Sequence, residues 1–277
     1  MKIVRSIQEM KSLRRQCQGT VGFVPTMGYL HDGHLQLVRN AKMENSVAVA
    51  SIFVNPTQFA PNEDFNAYPR DLERDCQMLE SVGADIVFVP ADTDMYPQGY
   101  NTWVIVQGIT QYLEGRSRPT HFQGVTTVCN KLFNIVQPDR AYFGQKDAQQ
   151  ALVIQKMVRE LDMNLEIIVC PTVRESDGLA MSSRNTYLTP QERPAANVLY
   201  ESLMLAQDMY NQGERAARKI KAAMVELVSK APGAYIDYIS IADIETLADV
   251  EEISGKVLVS MAVRIGKPRL IDNIILG

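Results

Sequence analysis

Between residues 20 and 170 short apolar runs alternate with helical stretches, and few folds accommodate that rhythm. Thr20-Val21-Gly22-Phe23-Val24 reads as a buried strand, and residues His34 to Met43 carry the apolar spacing of a helix. Ser46 to Val54 is the next strand, stopped by the breaker pair Asn55-Pro56. Pro69 to Val82 reads as an acidic-fronted helix ending at Gly83, and Asp85 to Pro90 as a strand. Helices follow at Gly124 to Val136 and Asp147 to Leu161, with strands at Arg140 to Phe143 and Leu165 to Cys170. This alternation predicts an α/β fold with a parallel, doubly wound, Rossmann-like sheet. Upstream, Ser6-Ile7-Gln8-Glu9 has capping-box spacing and opens a helix toward Gln16.

After Pro171 the texture changes. A polar loop leads into long helical regions over Pro190 to Gln212 and Gly213 to Lys230, and three strands are predicted at Tyr235 to Ile241, Val257 to Val263 and Leu270 to Leu276. A chain of 277 residues is long enough for two unequal cores. We expect a larger domain over residues 1–172 and a smaller α+β domain over 173–277.

In an open parallel sheet, ligands bind outside the carboxyl ends of the strands. The turn at that edge after the first long strand is Pro25-Thr26-Met27-Gly28-Tyr29-Leu30-His31-Asp32-Gly33-His34, which holds two of the chain's three histidines. Gly28 and Gly33 have the spacing of a phosphate loop, but His34-Leu35 stands where that loop needs Lys and then Ser or Thr. The turn is therefore not a Walker motif, although a His can approach a phosphate and open amides of the following helix attract anions. A lone His here would read as a helix cap.

Four further stretches carry polar chemistry. Gly144-Gln145-Lys146-Asp147 places a cation and a carboxylate at a second strand-to-helix turn, or simply caps the helix. Gln58, in Asn55-Pro56-Thr57-Gln58-Phe59, and Gln150 offer neutral amides that orient a small polar acid, or are ordinary surface glutamines. Met181-Ser182-Ser183-Arg184-Asn185, with Ser176-Asp177-Gly178 upstream, supplies hydroxyls and a guanidinium for a triphosphate, or is an ordinary loop. Arg116 to Gly124 joins Arg118 and His121 before a helix, as an anion clamp or a solvated loop.

A net charge of −4 and a pI near 5.5 argue against nucleic acid as partner. Cys17, Cys76, Cys129 and Cys170 form no Cys-x-x-Cys pair, and no apolar run suggests a signal peptide or a membrane span. The expectation is a soluble cytoplasmic protein. A zinc hydrolase built on His31 and His34 is disfavoured, because the spacing is not His-Glu-x-x-His and no third ligand is offered.

Taken together and in order, these stretches resemble the pantothenate synthetase family nearly end to end. His31-Asp32-Gly33-His34 resembles the HxGH signature of the nucleotidyltransferase superfamily, and Met181-Ser182-Ser183-Arg184 its KMSKS-type loop. More particular to the family are Phe53 to Phe59, Tyr68-Pro69-Arg70, and Tyr142 to Gln150. The resemblance implies ATP-dependent joining of (R)-pantoate to β-alanine through a pantoyl-adenylate, with AMP and pyrophosphate released. It also implies a homodimer, magnesium carried mainly by ATP, and a C-terminal lid domain.

By the same resemblance, Met27, Gly28, Tyr29, Leu30, His31, Asp32, Gly33, His34, Gly144, Gln145, Lys146, Asp147, Val173, Met181, Ser182, Ser183 and Arg184 match ATP contacts. Gln58 and Gln150 match pantoate contacts, and Gln58 also matches the β-alanine position. His34, His31 and Lys146 are the implied catalytic groups, with His34 as proton donor. One departure is Thr120, where the family reads Arg-Pro-Gly-His-Phe; the extra side chain bears on the backbone of that loop. The rival readings are another HxGH adenylyltransferase of small-molecule metabolism and a non-catalytic nucleotide-sensing module.

Overall fold

The computed structural model describes residues 1–60 and 65–277. The chain divides into two compact units, one of residues 1–145 and 149–171, the other of residues 146–148 and 172–277.

The first unit is built on six strands: β1 (Lys2–Val4), β2 (Val21–Thr26), β3 (Val47–Ile52), β4 (Ile86–Phe88), β5 (Arg140–Gly144) and β6 (Glu166–Cys170). They pair in the order β1-β4-β3-β2-β5-β6, every pair parallel. Its helices are α1 (Ile7–Gln16), α2 (Asp32–Glu44), α3 (Leu72–Ser81), the short α4 (Asp92–Met95) and α5 (Leu113–Ser117), α6 (His121–Val136) and α7 (Ala148–Glu160). The β2 strand shows why its sequence is apolar from Val21 to Pro25. Val24 joins the cluster of Leu35, Val38 and Leu79 from α2 and α3, while Phe23 meets the Phe133 ring of α6 at 6.4 Å. With both faces covered, no polar alternation survives.

From β2 the chain builds through β3 and β4, then returns to lay β5 on the other side of β2. The carboxyl ends of β2 and β5 therefore flank a topological switch point, where open α/β sheets place their ligands.

Some boundaries differ from the sequence pattern. The edge strand β1 was not expected; at three residues it has no periodicity to display, and it exists by pairing with β4. The α3 helix starts at Leu72 rather than Pro69, because Asp71 accepts the amide of Arg74 at 3.1 Å and caps it. The α6 helix starts at His121 rather than Gly124. Thr120 before it has φ −96° and ψ −8°, a right-handed conformation that accommodates a side chain without strain.

The second unit holds α8 (Glu192–Ala195), α9 (Val198–Asn211) and α10 (Ala217–Ser229), so the helix expected over 190–212 is two helices. Strands β7 (Ala234–Asp243), β8 (Val257–Ile265) and β9 (Arg269–Leu276) form an antiparallel sheet in that order. Leu199, Leu203, Ile220 and Met224 of the helices share one core with Val259, Met261 and Val263 of β8. Among the described residues, no helix is long and apolar enough to cross a membrane.

Candidate active site

The chain leaves β2 through Gly28 and Tyr29, both left-handed at φ 80° and 49°. Gly28 is tightly enclosed as well, since a Cβ would stand 3.0 Å from the Asp75 carboxylate and from Ile52. Thr26 accepts the amide of Gly28 at 3.1 Å and donates to the Ser51 carbonyl at 2.7 Å, joining the turn to β3. The chain then enters α2 with His31 as N-cap and His34 in the first turn.

The two histidines cap one another. His31 Nδ1 accepts the amide of Gly33 at 3.2 Å, and His34 Nδ1 accepts the amide of His31 at 3.4 Å. Their ring centroids lie 4.0 Å apart. A nitrogen that accepts carries no proton, so the donor position left to each ring is Nε2. Capping and chemistry are thus compatible in one pair of rings.

Several amides around this helix start are already bonded within the chain. The amides of Tyr29 and Leu30 are bonded by Asp75, those of His31 and Gly33 by the histidine rings, and those of His34 and Leu35 by the His31 carbonyl.

Gln58 closes a 3₁₀ turn over Pro56–Gln58 directly after β3 and is buried. Asn55, 1% exposed, donates to Gln58 Oε1 at 3.1 Å and to the Gly124 carbonyl at 3.1 Å, and accepts the Tyr96 hydroxyl at 2.8 Å. The Gln58 amide donates in turn to Met27 Sδ at 2.9 Å, a residue of the histidine turn. Burial pushes the Tyr96 phenol up to about 12, so it stays a neutral donor. Arg118 and His121 are both tied to the Pro56–Gln58 turn. Both converge on the Gln58 main-chain oxygen, His121 Nδ1 at 3.0 Å and Arg118 at 3.3 Å, with Arg118 also 3.3 Å from His121 Nε2.

The β5 strand ends at Gly144, and the 3₁₀ turn Gln145–Asp147 leads into α7. Two adjacent glutamines of α7 have different surroundings. Gln149 is buried and fastened to the carbonyls of Ile109 and Tyr112 and the amide of Glu114, at 2.8, 2.9 and 2.9 Å. Gln150 is only partly buried.

Gly144 and Gln145 belong to the first unit, whereas Lys146 and Asp147 group with the second, as do Val173 and Met181 to Arg184. Lys146 Nζ lies 3.8 Å from Asp147, and its carbonyl accepts the amide of Asn273 at 2.9 Å. Residues 173–181 form a small hairpin, with Met181 N donating to Val173 O at 3.0 Å and Glu175 N to Leu179 O at 2.8 Å. Gly178 turns it at φ 99°, where a Cβ would strike the Tyr200 ring. Arg174 binds Asp272 with both guanidinium nitrogens, at 2.6 and 3.0 Å.

Arg193 bridges Glu175 at 2.7 Å and Asp177 at 2.8 Å. Its guanidinium holds the Asp177 carboxyl below the usual carboxylate range. Asn185 donates to Glu175 at 2.8 Å and to the Ala180 carbonyl at 3.1 Å, closing the chain around Met181 to Arg184. Ser182 accepts the amide of Arg184 at 3.3 Å and starts the 3₁₀ turn Ser183–Tyr187.

Sequence reasoning passed over Asp75 and Tyr96, and gave Asn55 and Gly124 no role of their own within the stretches that contain them. A signal existed for Asp75: it sits with Leu72, Cys76 and Leu79 on one helical face, and a carboxylate on an apolar stripe needs a buried partner. Among the described residues, no group of three or more His, Cys, Asp or Glu could hold a metal ion.

A sequence model of the family described as Pantoate-beta-alanine ligase matches residues 2–275. The chain is 57% identical over 280 residues to the pantothenate synthetase of Thermotoga neapolitana, covering all of both. It is 54% identical over 278 residues to that of Acetivibrio thermocellus, covering 99% of each. Its structure is similar to the crystal structure of pantothenate synthetase from Thermus thermophilus, with a TM-score of 0.95, 47% identity and 99% of each chain covered. It is also similar to pantoate-beta-alanine ligase from Francisella tularensis complexed with beta-gamma ATP and beta-alanine. That match has a TM-score of 0.81 and 37% identity, covering 99% of this chain and 97% of the other.

Proposed function

The chain belongs to the pantoate-beta-alanine ligase family, and from that premise we propose how its own residues carry the reaction. The enzyme joins (R)-pantoate to β-alanine to make pantothenate, with ATP as a substrate. A pantoate carboxylate oxygen attacks the α-phosphorus of ATP and pyrophosphate leaves, giving pantoyl-adenylate. The attacking group belongs to the substrate, so the protein supplies placement and charge stabilisation rather than a nucleophile.

The reciprocal cap of His31 and His34 is the observation that carries this assignment. With each Nδ1 accepting an amide, both rings present Nε2–H as neutral hydrogen-bond donors to phosphate oxygens. Lys146 neutralises the α and β phosphates, and Ser182, Ser183 and Arg184 act on the departing pyrophosphate. Met27 to Gly33, Gly144, Gln145, Asp147 and Val173 complete the nucleotide contacts. Magnesium carried by ATP would supply further charge neutralisation beside Lys146 and Arg184.

Gln58 and Gln150 bind pantoate. The Asn55 donor fixes which end of the Gln58 amide is the oxygen, and this supports a defined orientation for the acid. In the second half-reaction the β-alanine amine, held near Gln58, attacks the acyl carbon, AMP leaves and the amide forms. Residues 1–172 serve as the ATP- and pantoate-binding domain and 173–277 as the lid. The enzyme acts as a cytoplasmic homodimer; its four free cysteines support a reducing compartment.

The test is exchange of labelled pyrophosphate into ATP, with pantoate and with related hydroxy acids, followed by β-alanine addition and detection of pantothenate and AMP. Exchange is expected to require pantoate. Exchange indifferent to the acid would overturn the mechanism.

A further inference from the structure

The turn that aims the two histidines is held from α3. Asp75, 1% exposed, accepts the amide of Tyr29 on Oδ2 and the amide of Leu30 on Oδ1, both at 2.7 Å. Arg74, its neighbour in sequence, donates to the Leu30 carbonyl at 3.0 Å and lays its guanidinium over the Tyr29 ring, 5.3 Å from the centroid. Both polar groups of the Leu30 main chain are thus bonded by consecutive residues of one helix. Leu30 immediately precedes the His31 cap.

The need for such a grip is visible in the backbone. Tyr29 is left-handed at φ 49°, a conformation that a residue with a side chain avoids and that persists only when its surroundings over-determine it. A carboxylate suits the task, because it accepts on both oxygens, whereas an amide of the same size accepts on one and turns donors toward donors. That acid is kept here against its environment: burial pushes the Asp75 carboxyl up even though two amides and Arg74 pull it down.

We propose that Arg74 and Asp75 are positioning residues for adenylate formation. They touch no substrate and act by setting the direction of the His31–His34 cap toward the ATP phosphates, an inference that rests on the phosphate role proposed above for those histidines. A structural role alone would lower stability and disturb both substrates alike. A positioning role falls on ATP.

The experiment measures pantoate-dependent pyrophosphate exchange, calorimetric ATP affinity and Tm for the wild type, Asp75→Asn, Arg74→Gln and Met10→Ala. Met10 is a fully buried α1 residue and reports loss of stability alone. In Asp75→Asn, kcat/KM for ATP is expected to fall about 100-fold, the scale of a reacting group misplaced by about 1 Å, with KM for pantoate unchanged. Arg74→Gln, at a half-exposed side chain that leaves the core intact, is expected to lose about tenfold, on the scale of one charge-assisted hydrogen bond. ATP parameters unchanged in a folded Asp75→Asn or Arg74→Gln would overturn the proposal, as would equal losses for ATP and pantoate reproduced by Met10→Ala. Should Asp75→Asn not fold, Arg74→Gln decides. Absence of pantoate-dependent exchange in the wild type would condemn the adenylation mechanism instead, and ATP affinity across the variants would still decide the grip.

Discussion

Gly124 of α6 lies so close to Thr57 that a Cβ would stand 2.5 Å from the Thr57 carbonyl oxygen and 2.7 Å from Cα of Gln58. The obstacle is backbone, so neither side can yield by a rotamer change. Gly124→Ala is expected to push the Pro56–Gln58 turn away from α6, at about 1–3 kcal/mol in stability, the usual range for overpacking. Because Gln58 rides on that turn, KM for pantoate should rise while KM for ATP holds. Urea denaturation and initial rates check both halves; a stable variant with unaltered pantoate kinetics would refute the link.

Removing the donors that face phosphate should act on rate more than on folding. His34→Ala and Lys146→Ala are each expected to reduce turnover by at least about a hundredfold, the cost of one oxyanion-type donor. His34→Ala additionally strips the acceptor from the His31 amide and frays the start of α2. Steady-state rates of the purified variants decide the matter, and near-normal turnover in either would refute its assignment.

Why some of this was legible in the sequence and some was not follows from the range of the interactions. Strands such as β2 and β3 are covered on both faces and read as apolar runs, so the α/β rhythm survives in one dimension. The histidine turn is local too, with cap and capped groups inside residues 31–34. Asp75 grips amides 45 and 46 positions away, and nothing near it in sequence says which amides. Gln149 and Gln150 are neighbours of the same type, and only the carbonyls of Ile109 and Tyr112 reveal which one is fastened into the fold. Likewise, the engagement of the His31 and Gly33 amides by the two histidine rings is invisible in a pattern that only marks where a helix begins.

The Tyr96 hydroxyl bonds the Asn55 oxygen at 2.8 Å and lies 3.2 Å from the Thr57 hydroxyl. Through Asn55 it bears on the Gln58 amide, whose oxygen Asn55 holds. Tyr96→Phe should cost about 1 kcal/mol for one lost buried hydrogen bond. It should also raise KM for pantoate several-fold, about the effect of loosening one oriented amide. With its pKa at about 12, the phenol contributes no titration below pH 10, so the pH profile of the variant should parallel that of the wild type. A changed acid or alkaline limb would contradict this.

Arg193 links acid sensitivity to the hairpin that precedes Met181. Its hydrogen bond to Asp177, at 2.8 Å, is the largest cause of the lowered Asp177 pKa. A carboxyl whose folded pKa lies below its unfolded value stabilises the fold above the unfolded pKa, about 3.9 for Asp, and loses that contribution as the pH falls through the folded value. Asp177 is 39% exposed on its side chain, so screening limits the term, to about 1 kcal/mol or less. Thermal melts of the wild type should therefore show an extra loss of Tm on going below about pH 4 that Arg193→Leu does not show. The same substitution removes the bridge to Glu175, whose carboxylate also holds Asn185, and so should lower the pyrophosphate exchange rate at neutral pH. Parallel acid profiles for the two proteins would show that the Arg193 bridge carries no acid-linked stability.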